Sequence, residues 1–100
     1  PRLVGIELDI GWAAKAGEDA LELWRRHADR IPQVHLRDFS HASGVDCDVG
    51  DGFIDPAAAL AQARECRTRW LIYEQSTYPV APMESCRVCS ARLAAARGRR

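Results

Sequence analysis

The stretch Val34-His35-Leu36-Arg37-Asp38 decides how the rest of this chain is read. A short apolar run carries a histidine and closes on a carboxylate, the pattern of a buried strand that delivers polar groups at its C-terminal end. Two other runs repeat that grammar. Leu3-Val4-Gly5-Ile6-Glu7-Leu8 ends in Asp9, and Trp70-Leu71-Ile72-Tyr73 ends in Glu74. Helical periodicity separates the three runs, so the order reads β-α-β-α-β-α, which implies a parallel sheet with right-handed crossovers. The expected fold is α/β, with strands near residues 3–8, 33–37 and 70–74, each followed by a helix. Polar groups at the ends of successive parallel strands are how a (β/α) barrel builds an active site.

Working outward, Asp9 to Gly17 reads as a loop of small residues around one aromatic, Trp12. Glu18 and Asp19 then sit where acidic groups favour a helix N-terminus. Ala20, Leu21, Trp24, Ala28 and Ile31 fall on one helical face over about Ala20 to Ala28, and Pro32 marks the passage into the second strand. Phe39 to Ile54 reads as a long loop with Gly44, Gly50 and Gly52, of the kind that carries function in a compact domain. Asp55-Pro56 is a helix N-cap followed by proline at the first helical position, opening an alanine-rich helix to about Cys66. After the third strand, Gln75 to Pro82 is a loop and the last helix runs from about Met83 to Arg97, stopping before Gly98.

Composition narrows the function classes. With 47% apolar and 28% charged residues the chain is ordinary globular protein, and fourteen basic residues balance fourteen acidic ones. That balance supplies no long-range field for nucleic acid or an anionic membrane. The basic end Arg97-Gly98-Arg99-Arg100 reads as a solvated tail. Without a signal peptide or a long apolar span, the expectation is a soluble cytoplasmic protein. Cys47, Cys66, Cys86 and Cys89 include a single C-x-x-C inside a helical stretch with no second pair, so reduced structural thiols are expected. The chain starts at Pro1, almost at its first strand, and three parallel strands leave two unpaired edges. It is therefore expected to be the C-terminal part of something larger, completed by a missing N-terminal barrel half or by a second copy of itself.

Adjacent strands lie roughly 4.8 Å apart, so side chains at three consecutive strand tips converge on one point. Asp9, His35 and Glu74 offer two carboxylates and an imidazole, a donor set suited to Mn2+, Mg2+, Co2+ or Zn2+. Each residue taken singly has a plain structural reading as a helix cap or an ion-pair partner.

The series Gly5-Ile6-Glu7-Leu8-Asp9-Ile10-Gly11-Trp12, His35-Leu36-Arg37-Asp38, Val49-Gly50-Asp51-Gly52-Phe53-Ile54-Asp55 and Tyr73-Glu74-Gln75 resembles the C-terminal part of the sugar phosphate isomerase/epimerase family, the xylose isomerase-like TIM barrels. The resemblance implies that residues 1–100 form the last three β/α units of a TIM (β/α)8 barrel. It also implies a divalent metal at the barrel mouth, with Asp9, His35 and Glu74 as ligands, and a small sugar or sugar phosphate as substrate. A further glutamate ligand, which an earlier strand contributes in the family, has no counterpart here. The implied activity is isomerisation or epimerisation by metal-assisted proton transfer through an enediolate, with Glu74 as the proton shuttle. The fragment alone is expected to be weak or inactive.

Around this trio, Trp12 either stacks on a sugar face or packs its loop, and Asp38 orients the site, binds a substrate hydroxyl or pairs with a neighbouring base such as Arg37. Gly50 and Gly52 permit close approach of backbone to a ligand, or a tight turn. His41, Asp46 and Asp48 reach the site only if their loop folds inward, and Glu7 shares a strand face with Asp9 and needs a partner. Two other readings compete. A related apurinic endonuclease barrel resembles the chain at His35 to Asp38 and Gly50 to Gly52, but its loop carries an Asp-x-His pair where this chain has Asp46-Cys47-Asp48. A non-catalytic barrel fragment that folds against a partner half is the reading from another class.

Overall fold

The computed structural model of the chain describes residues 3–98. The start at Pro1, and Arg99 and Arg100 of the basic end, lie outside the described residues. Strands β1 (Glu7–Asp9), β2 (Gln33–Leu36) and β5 (Trp70–Tyr73) form one parallel sheet in the order β1-β2-β5. Register aligns Glu7 with Gln33 and Trp70, and Asp9 with His35 and Ile72. The first strand is shorter than expected and begins at Glu7. Leu3 and Val4 stay exposed, and Ile6 instead donates its N–H to the Arg30 carbonyl at 2.7 Å.

Alternation along the strands sorts the two faces. Leu8, Val34, Leu36, Leu71 and Tyr73 turn toward the helices and join a core built on Ile10, Trp24, Ile31, Val49, Ile54 and Ala59. Each fully buried aliphatic or aromatic chain there contributes about 1.5–3 kcal/mol. Trp24 has no exposed surface, and its Nε1–H is satisfied by Thr68 Oγ1 at 3.0 Å. Glu7, Asp9, Gln33, His35, Trp70 and Ile72 occupy the other face, where Trp70 and Ile72 remain exposed.

Three aspartates start three helices. Asp19 accepts from the Glu22 N–H at the start of α2 (Ala20–Arg26), and Asp55 accepts from the Ala57 N–H at the start of α3 (Pro56–Glu65). Asp9 does the same for α1 (Ile10–Lys15), accepting from the Trp12 N–H at 3.0 Å. Helix α1 corrects the expected loop after the first strand. Its Gly11 has poor helix propensity, yet an added Cβ would lie 2.4 Å from the Arg37 carbonyl oxygen, so only glycine lets α1 pass that close to β2. A short 3-10 turn, Ala28–Arg30, leads into β2, and α4 (Pro82–Arg97) ends the fold against α3.

The long loop is also more ordered than expected. Strands β3 (Asp38–Phe39) and β4 (Asp46–Cys47) pair antiparallel within it. All four cysteines carry free thiols, and the Cys86/Cys89 pair lies within α4 as expected.

Candidate metal centre at the strand tips

One ligand atom each from Asp9, His35 and Glu74 lies within 4.8 Å of the other two. Parallel register explains the convergence. Asp9 and His35 share a row of the sheet, and Glu74 follows two residues after Ile72 on the same face, its N–H bonded to the Leu36 carbonyl at 3.1 Å. Bonds of roughly 2.0–2.5 Å to a single cation span that spacing. Two carboxylates and an imidazole therefore fit a divalent ion in chemistry as well as in distance.

His35 is bracketed by carboxylates. Its Nδ1 lies 2.6 Å from Glu74 Oε2, and its Nε2 lies 2.8 Å from Glu7 Oε1. Glu7 thus finds the partner its position demands and also accepts from the Gln33 amide. A ligating imidazole commonly gives its second N–H to such a carboxylate, which fixes the ring.

Arg37 organises the site, and the sequence reading assigned it no such role. It is 5% exposed and follows His35 by two residues on the same face. Its Nε reaches Asp9 Oδ2 at 2.9 Å and its Nη2 reaches Glu74 Oε1 at 2.9 Å. Its Nη1 donates to Asp46 Oδ2 at 2.8 Å and to Ser76 Oγ at 3.0 Å. Burial works against the guanidinium charge, but the hydrogen bond to Asp9 and the fields of Asp9, Asp46 and Glu74 outweigh it. Arg37 is held protonated even more firmly than an ordinary arginine.

Asp38 corrects an expectation. It was expected to orient the site, bind a substrate hydroxyl or pair with Arg37; its side chain is 1% exposed and is spent on backbone N–H groups, which sets aside the last two. Oδ1 accepts from the Phe39 and Ile54 N–H groups at 2.9 and 3.1 Å, and Oδ2 from those of Gly50 and Gly52 at 3.0 and 3.1 Å. With both oxygens committed to backbone, nothing is left for a sugar. Burial pushes the carboxyl up from the usual aspartate value, against the pull of those four donors. The loop glycines accordingly serve the turn: Gly50 has φ +101°, and a Cβ on Gly52 would lie 1.9 Å from the Phe39 carbonyl oxygen.

The other loop residues divide. Asp46 folds inward, but to Arg37 rather than to the trio, and it also accepts from the Ser76 N–H at 2.7 Å. Asp48 is buried and accepts from the Gln75 amide at 3.1 Å, while His41 packs at a tilt against Phe53 with ring centroids 3.9 Å apart. Trp12 packs edge-on against Phe39 at 4.7 Å, and the Arg37 guanidinium carbon lies 5.9 Å from both rings. Half of Trp12 remains exposed beside the trio. Among the described residues, no helix is long and apolar enough to cross a membrane.

No protein-family model matches the chain. It is similar to an inosose dehydratase of Geobacillus kaustophilus, 49% identical over 97 aligned positions that cover 79% of this chain and 32% of the relative. A crystal structure of a sugar phosphate isomerase/epimerase from Parabacteroides distasonis matches its fold with a TM-score of 0.65 at 19% identity, covering 89% of this chain and 29% of that one. The chain thus spans about a third of the length of the proteins it matches. The resemblance to sugar phosphate isomerase/epimerase barrels of the xylose isomerase-like kind is borne out, and the parallel β/α layer matches part of that TIM-barrel fold.

Proposed function

We propose that this β/α layer, residues 1–100, supplies the last three units of a sugar isomerase/epimerase barrel and contributes Asp9, His35 and Glu74 to its metal centre. The observation that carries the reading is the convergence of those three side chains at the tips of three consecutive parallel strands. A bound divalent cation such as Mn2+, Mg2+, Co2+ or Zn2+ would polarise the carbonyl of a sugar or sugar phosphate and stabilise the negative charge of an enediolate.

The chain's own residues supply the rest. Glu74 is half-exposed at the mouth and takes or returns the proton at the carbon beside the carbonyl. Arg37 holds Glu74 in place through Oε1, and Glu7 fixes the His35 ring. Trp12 presents its exposed face to the apolar side of the sugar. The remaining ligand and the walls that exclude water come from outside this layer, so the layer alone turns over weakly or not at all.

The 49% identical relative favours a second reading, dehydration of a keto-inositol. It starts with the same proton removal beside a carbonyl and then expels a hydroxyl on the next carbon. The product distinguishes the two: an isomer retains all its oxygen, whereas dehydration loses one water. An endonuclease reading is disfavoured because Asp46 and Asp48 are engaged with Arg37 and Gln75.

Glu74→Gln in the intact protein tests the proposal. The amide is isosteric but is no base at neutral pH. Turnover should fall by about 100-fold or more while the circular dichroism spectrum and melting temperature hold. Normal metal-dependent turnover in that variant would remove Glu74 from the chemistry.

A further inference from the structure

We propose that Arg37 is a positioning residue that holds one oxygen each of Asp9 and Glu74, leaves the other outside its grip, and so makes the centre discriminate against Ca2+. The inference rests on the metal reading above. Arg37 takes Asp9 Oδ2 with Nε and Glu74 Oε1 with Nη2, both at 2.9 Å. What remains is Asp9 Oδ1, which also accepts the Trp12 N–H as the cap of α1, and Glu74 Oε2, which faces His35 Nδ1.

The guanidinium cannot readily follow either carboxylate away. It is a rigid planar fork, it is buried, and its Nη1 is tied to Asp46 and Ser76 on two other loops. Behind it, α1 sits against the Arg37 backbone so closely that Gly11 has no room for a Cβ. For either carboxylate to chelate through both oxygens, the one that Arg37 holds has to loosen or share its charge-assisted bond to a buried guanidinium.

Cations differ in how much that matters. Ca2+ takes six to eight oxygen ligands and relies on bidentate carboxylates, and it gains little from an imidazole. Mn2+ and Co2+ accept single oxygens together with an imidazole nitrogen and keep positions open for substrate oxygens. A clamp that favours one oxygen per carboxylate thus weakens Ca2+ binding more than that of the smaller ions, which do not use the second.

The experiment is calorimetric titration of Mn2+ and of Ca2+ into the metal-stripped intact protein, for wild type, Arg37→Lys and Arg37→Gln, with no substrate present. Wild type should bind Mn2+ more tightly than Ca2+. Lysine keeps the charge but cannot grip two carboxylates in one plane, so Arg37→Lys should narrow the Mn2+/Ca2+ affinity ratio by roughly 10-fold or more, the scale on which outer-shell partners act. Arg37→Gln should narrow it further. If the glutamine variant fails to fold once three carboxylates lose their counter-charge, the lysine variant still decides. An unchanged ratio in folded Arg37→Lys, or a wild type that prefers Ca2+, overturns the clamp and leaves the metal reading standing. A wild type that binds neither ion overturns the metal reading, and the clamp with it.

Discussion

Arg37 and Asp38 are consecutive residues, both almost fully buried, both charged, and they solve burial in opposite ways. Arg37 gathers three side-chain carboxylates from β1, β4 and the residue after β5, two of which stand at an open mouth. Asp38 gathers four backbone N–H groups from its own neighbourhood, none of which can turn elsewhere. A buried charge met by movable carboxylates leaves lone pairs that a ligand can compete for. A buried charge met by backbone donors is scaffold. Side by side, the pair shows where the site ends and its support begins.

The comparison breaks most visibly at Asp38. Asp38→Ala strands four inward-facing N–H groups and should cost about 3–5 kcal/mol, read as a lower urea midpoint with an unchanged slope. Asp38→Asn keeps one accepting oxygen and should lose less. Equal stability of the alanine variant and wild type would mean the loop is held by something else.

The two glycines beside these residues sharpen the contrast at smaller cost. Gly52→Ala collides with the Phe39 backbone and the Asp38 carboxylate, and Gly11→Ala with the Arg37 backbone, each costing about 1–3 kcal/mol or somewhat more by thermal melting. Gly11→Ala should also weaken Mn2+ binding in the intact protein, because Asp9 caps α1 and moves with it. Gly52→Ala should leave it unchanged at temperatures where both variants stay folded.

The smallest effect concerns Cys47, which pairs with Asp38 across the hairpin. Burial, then Asp38 and the other aspartates nearby, push its thiol from 9.0 up to about 12. Because the folded value is the raised one, the stability it contributes is full below 9.0 and is lost as pH climbs toward about 12. At mildly alkaline pH, iodoacetamide should modify Cys47 several-fold more slowly in the native protein than in urea. In Asp38→Ala the native rate should rise part of the way toward the unfolded one, because burial and the other aspartates remain.

The strands, and the tip residues Asp9, His35 and Glu74, were legible because each apolar run announces its end with a polar residue and parallel register does the rest. The helix after β1 was hidden by Gly11, whose low propensity argues for a loop while tertiary crowding demands it. Two-residue strands such as β3 and β4 are too short for alternation to show. Arg37 was masked by its neighbour: adjacency in sequence suggested a pair with Asp38, whereas successive strand residues point to opposite faces. Glu7 was seen to need a partner, but only the register Asp9 to His35 identifies it as the histidine.

The three tryptophans are spread across three environments, and this gives the protein its own optical instrument. Trp24 has no exposed surface, while Trp12 and Trp70 are 52% and 62% exposed. Emission from Trp24 is therefore blue and shielded from iodide, and its shift to longer wavelength on unfolding reports the core alone. Trp12, beside the Arg37 guanidinium, is quenched freely until something settles over the strand tips. With Trp70 replaced by phenylalanine, one emission spectrum resolves into a channel for folding and a channel for occupancy, with no added dye.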